Sequence, residues 1–123
     1  DLKTGKGFSS FEEPKLTDYD EIKLHHYRHQ LLFYKLLIEN SRSYEGSSVK
    51  DGSLEFVEEE EGGKVQTLTL DFSTIREEEK ELRDLVAIVY KKITTLDFPD
   101  VSGYEENLDG IKKFEEDLLF GKV

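Results

Sequence analysis

The sequence predicts an α/β fold: a small mixed sheet with a β-hairpin, flanked by two long helices and a short C-terminal helix. Two observations support this fold class. Apolar residues recur at helical spacing in three segments, and apolar and polar residues alternate along two short segments on either side of a glycine-containing turn. With 123 residues, 36% of them hydrophobic, the chain is large enough for a single modest core. We therefore expect one domain or part of one.

The composition excludes several kinds of site and partner. The chain has no cysteine, which rules out disulfides, cysteine-ligated zinc and an iron–sulfur cluster held by its own residues. No apolar run reaches the length of a membrane span, and no secretory signal is recognisable. These features predict a cytoplasmic protein without a membrane partner.

The first third of the chain is predicted to form a strand, a loop and a helix. Residues 1–4 suit a short strand, and residues 5–17 contain the glycine and serine typical of a loop. The helix is predicted from Asp18 to Asn40, with Asp18 as its N-cap and Glu21 completing a capping box. Its expected apolar stripe consists of Leu24, Tyr27, Leu31, Phe33, Tyr34, Leu37 and Ile38.

A connector over residues 41–53 leads to the predicted hairpin. Its arms are Leu54–Glu59 and Lys64–Phe72, and its turn is formed by residues 60–63. Strand alternation places one set of apolar side chains on a buried face, namely Leu54, Phe56, Leu68, Leu70 and Phe72. The acidic run at residues 58–61 is a solvated tip, because four adjacent carboxylates on an extended chain cannot converge on one ion.

Two further helices are predicted after the hairpin. The first is expected to begin at a capping box of Thr74 and Glu77 and to continue to about Leu96. Its apolar face would contain Ile75, Leu82, Val86, Val89, Ile93 and Leu96. Asn107 is the expected cap of the last helix, which ends near Gly121. The inward residues of that helix would be Leu108, Ile111, Phe114 and Leu118.

The opening residues contain the motif with the clearest chemical meaning. Asp1 and Lys3 lie on the same side of a strand, since side chains alternate, and Gly5 lets the chain turn out of the strand. A carboxylate beside an ammonium group is what a metal-dependent phosphodiesterase uses, to hold Mg²⁺ and to stabilise charge on phosphorus. A simple ion pair at the end of a strand is the ordinary alternative for so short a motif.

A second motif lies in the first long helix. Gln30 and Tyr34 are four residues apart and share one helix face. A strand with D-x-K-T-G followed by a helix with Q-x-x-x-Y resembles the RecB-type nucleases of the PD-(D/E)xK superfamily. The segment His25–Leu37 is similar to the nuclease region at the C-terminus of bacterial UvrD-type DNA helicases. The resemblance covers most of the chain, but its specific motifs lie within residues 1–38.

This resemblance implies a function in DNA repair or recombination. It implies that Asp1 is a metal ligand, that Lys3 is the catalytic lysine, and that Gln30 and Tyr34 position the site and the DNA strand. The cofactor would be Mg²⁺, bound weakly or not at all by this chain alone, and ATP would bind only to the helicase motor domains of the parent protein. DNA would be bound through that full-length parent.

The resemblance also implies a restriction-endonuclease-like core truncated at its N-terminus. Residues 1–123 would be the C-terminal part of a nuclease-like domain, with the motifs in residues 1–40 and an acidic hairpin and helices in residues 41–123. The family's other acidic ligand lies on a strand before the D-x-K strand. We therefore expect the isolated chain to be inactive as a nuclease.

The charge of the chain favours a second function. The net charge is −11, whereas phosphate binding needs lysine and arginine. Residues 1–50 are neutral, with eight basic and eight acidic side chains, and residues 51–123 have nine basic and twenty acidic ones. The alternative to a nuclease is thus a degenerate, non-catalytic nuclease fold that acts as a structural or protein-docking module of a helicase.

The histidines form a separate candidate site. His25 and His29 have the i,i+4 spacing that can hold zinc on a helix. His26 occupies the position at which a zinc protease has its glutamate, and the sequence offers no evident third ligand. The sequence therefore favours solvated histidines, or histidines near a phosphate-binding surface, over a zinc site.

Overall fold

A computed structural model describes residues 2–4, 7–8, 10–12, 16–57 and 65–123. Within them the elements are strand β1 (Leu2–Thr4), helix α1 (Asp18–Glu39), strands β2 (Asp51–Val57) and β3 (Val65–Asp71), helix α2 (Arg76–Thr94) and helix α3 (Leu108–Leu119). Short 3₁₀ turns follow α1 and β3. The predicted element order and the small mixed α/β fold are confirmed.

The three strands form one sheet in the order β1-β2-β3. β2 and β3 are an antiparallel hairpin in which Leu54 pairs with Leu68, while β1 runs parallel to β2. Parallel neighbours need a crossover connection, and α1 lies in that connection. The predicted turn at residues 60–63 falls outside the described residues.

The core lies between the sheet and the helices. The predicted hairpin face is confirmed, because Leu54, Phe56, Leu68, Leu70 and Phe72 are all buried. Phe8, which belongs to the loop before α1, is also fully buried, and its ring meets those of Tyr27 and Phe56 edge to face. The loop, the sheet and α1 therefore share one aromatic cluster.

The buried face of α1 differs from the predicted stripe. Leu24 and Leu31 are buried as expected, but so is Leu32, which the stripe omitted, whereas Leu37 is 54% exposed. Phe33, Tyr34 and Ile38 are exposed as well. The helix has more apolar residues than one face can hold, and the positions of the sheet, α2 and α3 decide which of them are covered.

The apolar face predicted for α2 is wrong in its second half. Ile75 and Leu82 are buried as expected, and Leu85 is buried with them. The other predicted members of that face are exposed, namely Val86, Val89, Ile93 and Leu96. The described elements cover only the N-terminal half of α2.

Two of the three predicted helix caps are wrong. Thr17, not Asp18, caps α1 by accepting a hydrogen bond from the Asp20 N–H. Thr74 does not cap α2, because it lies in the preceding 3₁₀ turn and its hydroxyl donates to the Asp71 carbonyl. That turn delays the start of α2 to Arg76.

The last helix has both predicted ends. Asn107 accepts a hydrogen bond from the Gly110 N–H at 2.9 Å, which confirms its role as the cap. At the other end Gly121 has a φ of 70°, and the Lys122 N–H donates to the Asp117 carbonyl. This is a Schellman ending, in which a left-handed residue suits glycine.

A partly buried ion-pair network joins α1 to α2. Lys35 has only 9% of its side chain exposed and donates to Glu39 within its own helix and to Glu79 of α2 at 3.0 Å. Burial alone would lower the pKa of Lys35, but the hydrogen bonds to Glu39 and Glu79 outweigh it, and the pKa lies above its ordinary value. The folded state therefore favours the charged lysine.

We expect Lys35→Ala to lower the free energy of unfolding by about 2–3 kcal/mol, because it leaves two carboxylates together with little solvent. Arg83→Ala is the control: Arg83 contacts the same Glu79 but is 61% exposed, and its loss should cost less than about 1 kcal/mol. Urea unfolding at neutral pH measures both. Equal losses would contradict a role for burial.

The stabilisation by Lys35 should also depend on pH. Because the pKa of Lys35 is raised in the folded state, its contribution to the free energy of unfolding should be lost as the pH rises through that folded pKa, above the ordinary value of 10.5.

Candidate functional site

The described part of the D-x-K motif, Leu2 and Lys3, lies in strand β1. Lys3 lies in the middle of β1, and its backbone pairs with Phe56 of β2. The ring of Phe56 contacts Tyr27 of α1, with centroids 5.7 Å apart. Asp1 lies outside the described residues, so the expected pairing of its carboxylate with Lys3 stays a prediction.

The Q-x-x-x-Y motif forms a pair on α1. Gln30 is half-buried, Tyr34 is 37% exposed, and the Gln30 Nε2 donates a hydrogen bond of 2.8 Å to the Tyr34 hydroxyl. Tyr34 is seven residues after Tyr27, which is about two helical turns. Tyr34 therefore lies nearly in line with the residue that contacts β2, about 10 Å farther along the helix. The expected contact of this pair with a ligand or with Lys3 is untested.

The opposite flank of α1 carries the histidines. His25 is nine residues before Tyr34, a rotation of about half a turn. The His25 and His29 rings are 4.3 Å apart, and both face Glu115 of α3. His25 Nε2 lies 2.9 Å from Glu115 Oε1, and His29 Nδ1 lies 3.8 Å from the same oxygen. The structure thus supplies a third side chain that the sequence alone did not reveal.

The environment of His29 favours a neutral imidazole. Burial lowers the pKa of His29, and neighbouring positive charge on His25 would lower it further, although the carboxylates of Glu115 and Glu78 oppose the shift. The net effect is a pKa below the ordinary value of 6.5. His29 consequently keeps a lone pair at neutral pH.

The cluster lines a cavity of about 710 Å³ between α1, α2 and α3. Two basic side chains, Arg28 and Lys112, face five acidic ones in its wall: Glu21, Glu78, Glu81, Glu115 and Glu116. Arg28 is already paired with Glu78 through two hydrogen bonds. The charge of this wall suits a cation rather than a phosphate.

The described lining of the cavity offers carboxylates and imidazoles but no hydroxyl or thiol group. Among the described residues that line it there is no serine, threonine, cysteine or tyrosine. A histidine hydrogen-bonded to a carboxylate therefore has no hydroxyl or thiol to activate there. What the residues can do is bind: two imidazoles and one carboxylate form a ligand set for a metal ion.

None of the helices in the described parts of the chain is long and apolar enough to cross a membrane. The chain matches no protein-family model, no curated protein and no solved structure.

Proposed function

We propose that the chain is the C-terminal portion of a DNA nuclease domain of the UvrD/RecB type, coupled to a helicase in the parent protein. The observation that carries the proposal is topological. The strand with Lys3 is parallel to and beside the strand that follows α1, and α1 is the helix that bears Gln30 and Tyr34. Lys3 and the pair Gln30 and Tyr34, which belong to the two motifs on which the resemblance depends, are thus in one strand–helix–strand unit.

The packing of that unit supports the proposal. Lys3 pairs with Phe56, Phe56 contacts Tyr27, and Gln30 is three residues beyond Tyr27 on the same helix. Leu31, the residue after Gln30, lies against Gly52 near the start of β2, so α1 runs antiparallel to β2 across the sheet. Gln30 is therefore placed along the sheet that contains the strand with Lys3.

The described residues do not suit Mg²⁺. Mg²⁺ prefers an octahedron of oxygen atoms, and the three-residue metal group among the described residues consists of two imidazoles and a carboxylate. In the proposed function the magnesium ligands are Asp1 and acidic residues of the larger domain, and ATP is bound by the motor domains alone.

The second candidate function is a non-catalytic structural or docking module. The net charge of −11 and the acidic wall of the cavity beside the histidines favour it, because both repel DNA. In this case the hydrogen bond between Gln30 and Tyr34 would have a structural role.

The experiment uses a longer chain of the parent protein that includes the strand before Asp1. We expect Mg²⁺-dependent cleavage of single-stranded DNA by this chain and none by residues 1–123. Lys3→Ala and Asp1→Ala should each reduce the rate by about 100-fold, and Lys50→Ala, a lysine in an exposed connector, should not. If the longer wild-type chain cleaves no DNA, the docking module is the correct function. If it cleaves DNA and Lys3→Ala retains the rate, the D-x-K motif is not the catalytic site and the proposal fails.

A further inference from the structure

We propose that His25, His29 and Glu115 bind a Zn²⁺ ion that links α1 to α3. The ion is independent of the proposed nuclease function, because its ligands lie on the opposite flank of α1 from Gln30 and Tyr34. The three potential ligand atoms lie within 4.8 Å of one another. They come from two separate helices, so the ion would connect these helices and would also lie in the wall of the cavity.

The geometry is close to that of a zinc site. Zinc bonds of about 2.0–2.1 Å in a tetrahedron place neighbouring ligand atoms about 3.3 Å apart. The Glu115 oxygen is 2.9 Å from the His25 nitrogen and 3.8 Å from the His29 nitrogen, so the observed distances lie on either side of that value. The third distance, between the two histidine nitrogens, is at most 4.8 Å, so side-chain shifts of up to about 1.5 Å would complete the three-ligand arrangement.

The ligand chemistry distinguishes zinc from the hard cations. Imidazole nitrogens suit zinc and other late transition metals, whereas Mg²⁺ and Ca²⁺ take oxygen ligands. The fourth position would face the cavity and be filled by water, as in zinc sites with three protein ligands.

The charges around the site also favour a cation. Two neutral imidazoles and one carboxylate leave Zn²⁺ with a single positive charge in a wall that has more acidic than basic groups. Glu78, whose carboxylate also acts on His29, is already held by Arg28. Glu78 therefore adds negative charge near the ion but does not serve as a fourth ligand.

The test is metal binding by the 123-residue chain, prepared without a histidine tag and freed of metal. We expect one-to-one Zn²⁺ binding in calorimetry at micromolar protein, and an increase of at least about 5 °C in the thermal midpoint. Mg²⁺ at the same concentration should produce neither effect. Co²⁺ should give the intense visible absorption of a four-coordinate ion.

The variants separate metal binding from folding. His25→Ala, His29→Ala and Glu115→Gln should each weaken Zn²⁺ binding by at least about 100-fold, since loss of an outer-shell partner alone costs about 10–100-fold. His26→Ala is the matched control, because His26 is exposed on the same helix and outside the cluster. Circular dichroism of the metal-free variants checks that they fold. If a histidine variant does not fold, Glu115→Gln still tests the site, because glutamine has nearly the same shape as glutamate. Absence of Zn²⁺ binding by the wild type, or equal weakening by His26→Ala, would overturn the proposal.

Discussion

Replacing Phe56 by alanine is expected to lower the free energy of unfolding by about 3–5 kcal/mol. Phe56 is 1% exposed and its ring meets those of Phe8 and Tyr27 at centroid distances of 6.0 and 5.7 Å. Those neighbours belong to the loop before α1 and to α1 itself. One substitution would therefore open a cavity where the sheet, the loop and the helix meet.

Urea unfolding followed by circular dichroism measures this loss. Phe98→Ala is the control, because Phe98 is the same residue type but 67% exposed in the segment after α2, and its replacement should cost less than about 0.5 kcal/mol. If both variants lost the same stability, Phe56 would not be a central core residue. Since Phe56 pairs with Lys3 in the sheet, the same variant should also disturb the position of the D-x-K strand.

The hairpin and its buried face could be predicted because strand periodicity leaves little choice. Once Leu54 and Phe56 point inward, alternation fixes the faces of the other residues of the hairpin. The burial of Phe8 could not be predicted in this way. It lies in a loop, where no periodicity applies, and its position depends on contacts with Tyr27 and Phe56, which are distant in sequence.

The helix faces were harder to predict than the strands. In α1 the buried arc includes Lys35, a residue that a search for apolar spacing leaves out, because Glu39 and Glu79 compensate its charge. A helix presents a continuous set of directions, so the neighbouring elements select the covered arc. Because α1 has apolar residues on more than one face, its sequence alone does not show which face is buried.

In the candidate sites, too, residues of one helix could be predicted together, but contacts between helices could not. The spacing of His25 and His29 was visible in the sequence, as was that of Gln30 and Tyr34, because both depend only on the helical repeat. Glu115 is 90 residues from His25, and nothing local distinguishes it from Glu116, the other glutamate of its helix. Only the packing of α3 against α1 brings it to the histidines.

The sharpest test of which arc of α1 is buried compares two leucines of the same helix. Leu32 is fully buried and absent from the predicted stripe, whereas Leu37 belongs to that stripe and is 54% exposed. We expect Leu32→Ala to lower the free energy of unfolding by about 3–4 kcal/mol and Leu37→Ala by less than about 0.5 kcal/mol.

The comparison is well controlled because the two substitutions are chemically identical and change the intrinsic helix propensity by the same amount. Any difference between them must come from tertiary packing. Thermal and urea unfolding should rank the variants in the same order. The reverse order would mean that α1 is rotated about its axis from the observed orientation. Such a rotation would also carry His25 and His29 away from Glu115, so these two leucines test the packing on which the zinc proposal depends.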